Sequence, residues 1–360
     1  MRLYFLSLLS ILVSSCEEDY KRPAKISTVT IEHLVIDSTL SVRALDFDDE
    51  YVFYGSSDHF GKIALQDQFK INLDDFNWGN EKNRYKNLIT HEGKPLHFRA
   101  IEAVDGVLFA LSISNPARLY KLPRKALEPE LVYEEIHDNV FYDALAFWNK
   151  DEGIAIGDPT DECMSIIITR DGGNSWDKLS CNELPKAKEG EAAFAASDTN
   201  IAIKGDQTWI ATGGLVSRVL FSPDKGKTWT AIETPIINGK PTTGMYSIDF
   251  YDDENGFAIG GDYTKPNETI ANKIRTIDGG KTWQIVANEK GPGYRSCVQY
   301  IPNSGGNELV AIGFKGIDYS NDAGASWTHL SDEGLYTLRF VNDSMSFSAG
   351  KGRLSKLMFR

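Results

Sequence analysis

An eight-residue signature recurs four times along this chain. The copies are Thr169–Trp176 (TRDGGNSW), Ser222–Trp229 (SPDKGKTW), Thr276–Trp283 (TIDGGKTW) and Ser320–Trp327 (SNDAGASW). Each reads Ser/Thr-x-Asp-x-Gly-x-Ser/Thr-Trp, and the four Asp residues, Asp171, Asp224, Asp278 and Asp322, are spaced 53, 54 and 44 residues apart. Self-similarity at such a period restricts a chain to stacked or circular repeat architectures.

The segment ahead of each signature repeats as well. Tyr246-Ser247-Ile248-Asp249-Phe250 reads as a strand, Asp252–Gly256 as a turn, and Phe257-Ala258-Ile259-Gly260-Gly261 as a second strand. A third strand ends at Thr276, the signature forms a turn, and a fourth strand starts at Trp283. The first strand recurs at Val42-Arg43-Ala44-Leu45, Phe98-Arg99-Ala100-Ile101, Tyr142-Asp143-Ala144-Leu145, Phe194-Ala195-Ala196, Tyr294-Arg295-Ser296-Cys297 and Tyr336-Thr337-Leu338. Seven starts, short strands, glycine turns and no long amphipathic helical pattern predict an all-β, seven-bladed β-propeller with four-stranded blades. The last repeat has room for only three strands before Arg360, so Val29–Ile36 is expected to supply its outer strand and close the ring.

Residues 1–16 (MRLYFLSLLSILVSSC) carry one cation, a short apolar run and small residues before Cys16. The run is too short to span a bilayer and reads as a signal peptide. Its ending resembles the lipoprotein box, which implies removal of residues 1–15 and acylation of Cys16; an ordinary signal peptide is the alternative. Glu17, Glu18 and Asp19 resemble an outer-face export tag. The expectation is therefore an exported chain, lipid-anchored in the cell envelope at the outer membrane or cell surface. Residues 16–27 would be a tether and 28–360 the propeller. A net charge of −13 argues against a nucleic-acid partner and against membrane contact other than through the lipid. Export also permits a disulfide, and Cys163 and Cys181 flank one predicted hairpin.

The signature residues have structural work to do. The Asp accepts backbone N–H groups in a tight turn, the Gly takes a positive φ, and Trp176, Trp229, Trp283 and Trp327 pack between strands. Alternation of strand direction puts these turns on one rim. The starts of first and third strands and the ends of second strands lie on the other. That second rim gathers Arg43, Arg99, Asp143, Asp158, Glu191, Arg218, Asp262, Tyr263 and Arg295. Arginines facing one axis suit an anionic ligand; the same charges suit ion pairs between blades. The six His residues are scattered without metal-ligand spacing, and no nucleophile elbow, zinc helix or dinucleotide fingerprint is present, so no cofactor is expected.

The signatures resemble the BNR/Asp-box repeat. Together with Gly256-Phe257-Ala258-Ile259-Gly260, the pattern is most similar to photosystem II stability/assembly factor-like exported bacterial propellers of a sialidase-like type. That resemblance implies a binding or assembly module acting on a protein partner through the arginine-rich rim. The alternative it implies is a glycan-active hydrolase or lyase. There Arg99, Arg218 and Arg295 would grip an acidic glycan, and Asp143, Glu191 or Asp262 would move protons. Phe98-Arg99-Ala100-Ile101 keeps the Phe-Arg of the sialidase motif but lacks its Pro, so catalytic residues of sialidases do not carry over.

Overall fold

The computed structural model describes residues 25–65 and 84–360. The expected signal peptide, the lipidation site Cys16 and all but the last three residues of the expected tether lie outside the described residues. Among the described residues the regular elements are all strands. Seven inner strands, Ala44–Phe47, Phe98–Val104, Tyr142–Asn149, Ile201–Lys204, Thr243–Phe250, Cys297–Tyr300 and Thr337–Phe340, touch in sequence, and the seventh touches the first. The result is a closed seven-bladed propeller around a central channel.

Five blades are four-stranded antiparallel sheets. The uniform count expected from the repeat is not kept in the other two. Blade 5 belongs to a six-stranded sheet, because Glu191–Ala192 and Gly213–Gly214 from blade 4 add to its inner edge. Blade 7 contains three elements, Thr337–Phe340, Met345–Phe359 and Val29–Ser41. The long one doubles back on itself: Gly352 has φ 76°, and the Phe359 N–H donates to the Ser344 carbonyl at 2.8 Å. Val29 pairs with Phe359 and Ile36 with Arg353, so the N-terminal strand closes the ring. Ile26, expected within the tether, is already fully buried beside Leu357 and Phe359.

Apolar side chains form one buried cluster per blade junction. Leu111 and Leu119 meet Leu145 and Ile167 between blades 2 and 3, and Ile156 and Ile168 meet Ile210 and Leu220 between blades 3 and 4. Each sheet thus buries both faces against its neighbours. The Asp signatures fasten the same junctions. Asp171 accepts the Ser175 amide at 3.0 Å and its hydroxyl at 2.7 Å, while the Gly173 N–H donates to Thr169 Oγ1 at 2.9 Å. The pattern repeats at Asp224, Asp278 and Asp322. Trp176 packs edge-on against Phe109 of the preceding blade, and Trp327 against Phe257. At Gly173, φ is 73° and a Cβ would enter the Phe109 ring, so Gly is required on both counts.

Blade 4 departs from the sequence expectation. Its inner strand is Ile201–Lys204, not the run beginning at Phe194. Residues 194–200 instead cross the channel as a pin. The Ser197 hydroxyl donates to the Ser296 carbonyl (2.6 Å, blade 6), and Thr337 Oγ1 donates to the Ser197 carbonyl (2.8 Å, blade 7). Asp198 accepts the amides of Ile101 (2.8 Å, blade 2) and Leu145 (3.1 Å, blade 3). Thr199 Oγ1 donates to Ser247 Oγ (2.7 Å, blade 5). The Arg43 and Arg99 guanidiniums of blades 1 and 2 each lie 3.4 Å from a pin carbonyl, Ala196 and Ala195 respectively. One seven-residue segment therefore bonds to every other blade. The backbone polar groups of a strand-free segment must find partners elsewhere, and the Ser-Asp-Thr-Asn run adds side-chain partners.

Candidate functional site

The pin floors a cavity of about 410 Å³ at the channel mouth. Strand parity decides what surrounds it. Arg43, Arg99, Tyr294 and Tyr336 precede or open inner strands, and Tyr246 lies early in one. Asp158, Tyr263 and Phe314 follow second strands. All of these line the cavity together with Phe141, Phe194, Pro241 and Ala192–Ala196. No signature residue does.

The aromatic wall is continuous. Phe194 stacks on Tyr246 with centroids 4.0 Å apart and rings 5° from parallel. Tyr246 meets Tyr294 edge-on at 4.8 Å, and Tyr294 meets Phe314 at 5.4 Å. The Phe194 ring rests on Gly213, where any Cβ would collide with it. Tyr263 and Phe314 reach outward at the lip, 47% and 39% exposed.

Among the described residues, the two arginines on this wall have no carboxylate partner within ion-pair distance. The Arg43 guanidinium stands 4.1 Å over the Tyr336 ring, and its buried Nε has no hydrogen-bond acceptor. Arg99 Nε donates to His97 Nε2 at 3.2 Å. Burial, with Arg43 next to it, draws the Arg99 guanidinium down to about 10, and burial with both arginines holds His97 near 4. The imidazole is therefore neutral at pH 7 and free to accept from Arg99. Both guanidiniums line the cavity, and N–H groups beyond these contacts can donate to an anion there.

The other rim candidates divide differently. Arg218 makes a bidentate pair with Glu191, Nε to Oε1 at 3.0 Å and Nη2 to Oε2 at 2.6 Å, with both side chains buried. Glu191 also accepts the Thr212 hydroxyl and the Lys188 amide. Arg295 is bound by Asp318, a residue the sequence did not single out, at 2.6 Å from Nε. Arg99, Arg218 and Arg295 therefore do not converge as the expected three-arginine grip; Arg218 and Arg295 are neutralised within their own blades. Asp262 is buried and caps its loop: against burial, the Thr264 hydroxyl and amide hold its carboxyl below the usual range. Asp143 lies fully buried, with neither oxygen in a hydrogen bond. Burial pushes its carboxyl well above the usual range, Asp158 adds to the rise, and Arg99 opposes it. Asp158 accepts the Ala193 amide at 2.7 Å, and burial raises it to about 6.

Among the described residues, no group of three or more His, Cys, Asp or Glu side chains is placed to hold a metal ion. Cys163 and Cys181 form a disulfide, and Cys297 is a buried thiol. Of the cavity's aromatic residues the sequence reading named only Tyr263 as a candidate and missed Phe141, Phe194, Tyr246, Tyr294, Phe314 and Tyr336. A signal was present, because aromatic residues recur at the first-strand starts, as Tyr246, Tyr294 and Tyr336.

No protein-family model matches the chain, and no curated protein matches it. Solved structures of similar fold include one described as YCF48 bound to D1 peptide, with a TM-score of 0.62 and 12% identity, covering 93% of this chain and 98% of that one. The WD40 repeats of RRP9 give 0.59 at 11% identity over 93% and 99%. U3-55K gives 0.58 at 14% identity over 91% and 98%. These likenesses agree with the propeller architecture across the whole described chain.

Proposed function

We propose that this chain is an exported, lipid-anchored propeller that binds a protein partner at the arginine- and aromatic-lined mouth of its channel. The observation that carries the reading is the contrast among its arginines. Arg218 and Arg295 are each matched to a carboxylate, whereas Arg43 and Arg99 face an open cavity without one. Uncompensated guanidiniums amid aromatic rings form a recognition surface for an anionic, partly apolar group. YCF48, similar in fold, was solved with a peptide bound, which supports a peptide-bearing ligand here. Acylation at Cys16 would hold the propeller at the envelope, with its ligand-binding rim free to meet a neighbour.

The test compares the parent with an Arg43→Ala/Arg99→Ala variant in pull-downs from solubilised envelope. Hydrogen bonds to charged groups contribute about 1.5–3 kcal/mol each, so losing two should weaken the partner's affinity roughly 100-fold or more. Equal recovery of the same proteins by parent and variant, with equal Tm, would sink the proposal.

A further inference from the structure

The channel-mouth cavity does not end at its own wall. Phe141, Asp158 and Ala192 line it on one side and line a second hollow, of about 680 Å³, on the other. This second hollow is lined by the segment entering blade 3, the loop after that blade's second strand and residues 187–192, and its charge has the opposite sign. Asp138, Asp161, Glu162 and Glu189 are exposed along it. Lys188, the lysine lining it, is already engaged, its Nζ bonding Glu233 at 2.6 Å outside the hollow, and Glu162 is paired with Lys186 at 2.8 Å. Asp138, Asp161 and Glu189 have no ion-pair partner among the described residues.

Two hollows that share a wall thus form one surface, with two guanidiniums among aromatic rings at one end and carboxylates without an ion-pair partner at the other. A ligand filling it must change sign along its length. We infer that the partner presents a polypeptide segment of mixed charge, in which an acidic residue next to an aromatic or apolar one enters the cavity and a Lys/Arg-bearing flank lies in the acidic groove. This rests on the binding reading above and specifies its ligand. Polypeptide is the chemistry that fits, because successive side chains can carry opposite charges a few ångströms apart. An acidic glycan repeats one sign of charge and would lay its further carboxylates against Asp138, Asp161 and Glu189. The groove therefore selects against a polyanion while the cavity selects for an anion, which is discrimination by repulsion as well as attraction.

The experiment pans a phage-displayed library of random dodecapeptides on the full chain and, in parallel, on Arg43→Gln/Arg99→Gln. Peptides enriched only on the parent should pair Asp or Glu with an aromatic or apolar residue and carry at least two Lys or Arg on one flank. Synthetic versions are then titrated by fluorescence anisotropy against the parent and against Asp138→Asn/Asp161→Asn/Glu189→Gln, whose three sites are exposed and whose Tm should match the parent. The triple variant should lose roughly tenfold affinity for the basic-flank peptides, because exposed charge pairs contribute about 0.2–1 kcal/mol each. It should bind peptides with Gln in place of the basic residues as the parent does. Arginine-dependent peptides that lack a basic flank, or that bind the triple variant unchanged, would overturn this inference and leave the binding site standing. A uronic-acid hexasaccharide that binds more tightly than any selected peptide would overturn it in favour of a glycan. Enrichment that does not depend on Arg43 and Arg99 would overturn both readings.

Discussion

Replacing Asp198 with Gly removes the acceptor that joins blades 2 and 3 to the channel pin. Asp198 has φ 58°, a left-handed backbone that Gly accepts without strain, so in the folded state the change acts through the lost carboxylate. The side chain receives two main-chain N–H groups, Ile101 at 2.8 Å and Leu145 at 3.1 Å. Both residues are buried, and each amide would lose its partner. A buried donor left unsatisfied costs about 1–3 kcal/mol, giving about 2–6 kcal/mol for the pair. The change also removes the counter-charge 4.0 Å from Arg339 Nη2, although that group keeps its bond to the residue 198 carbonyl at 2.8 Å. In a chain of this size the unfolding entropy translates each kcal/mol into about 1.5 °C, so Tm should fall by about 3–9 °C. Asp198→Asn, which keeps one acceptor oxygen, should lose about half as much. Differential scanning calorimetry gives the shift, and amide hydrogen exchange at Ile101 and Leu145 locates it. A drop under about 1 °C with both amides still protected would refute the view that the pin is a stabilising hub.

Three further outcomes follow from the same framework. Removing residues 25–41 strips the outer strand from blade 7 and exposes Leu354, Leu357 and Phe359, so the truncated chain should melt at least about 10 °C lower or fail to fold; a truncation that melts like the parent would contradict the closure. Asp143 has a folded carboxyl raised above its usual value of 3.8, so its contribution is present below that pH and is lost as pH rises through the folded value. Asp143→Asn should therefore melt higher than the parent at pH 8 but not at pH 4, and parallel Tm-against-pH curves would show that the carboxyl is not the cause. Glu191→Gln leaves the buried Arg218 guanidinium without its counter-charge and should cost about 3–5 kcal/mol by denaturant titration, against no change if the pair were idle.

Much of the ring was legible in the chain because propeller blades repeat the same local chemistry. Aromatic-charged-small starts, glycine-ended second strands and Asp turns each mark a place in a sheet, and strand alternation alone separates the two rims. What local pattern could not supply was anything set by contacts across the ring. Phe194-Ala195-Ala196 looks like another strand start, yet in Ser197-Asp198-Thr199-Asn200 behind it three side chains bond main chain and the fourth, Thr199, bonds the Ser247 hydroxyl. That buried polar run was the available signal for a segment leaving its sheet. Similarly, Arg295 and Arg99 occupy the same position in their repeats. Only the presence of Asp318 on the third strand of blade 6 makes one an ion pair, while Arg99 borders an open cavity.

The channel pin also fixes an order of events. Its bonds to blades 1 and 2 behind it and blades 6 and 7 ahead of it join residues separated by 96 to 153 positions. Contacts so distant in the chain form late, after the loops between them have been closed. A chain emerging from its N-terminus can complete blades 1 to 4 and still have a loose pin, since the acceptors and donors at Ser296, Thr337 and Arg339 have not yet arrived. The floor of the ligand cavity is thus completed only when the last blade docks, and a chain cut short before blade 7 would display both arginines with no finished pocket around them.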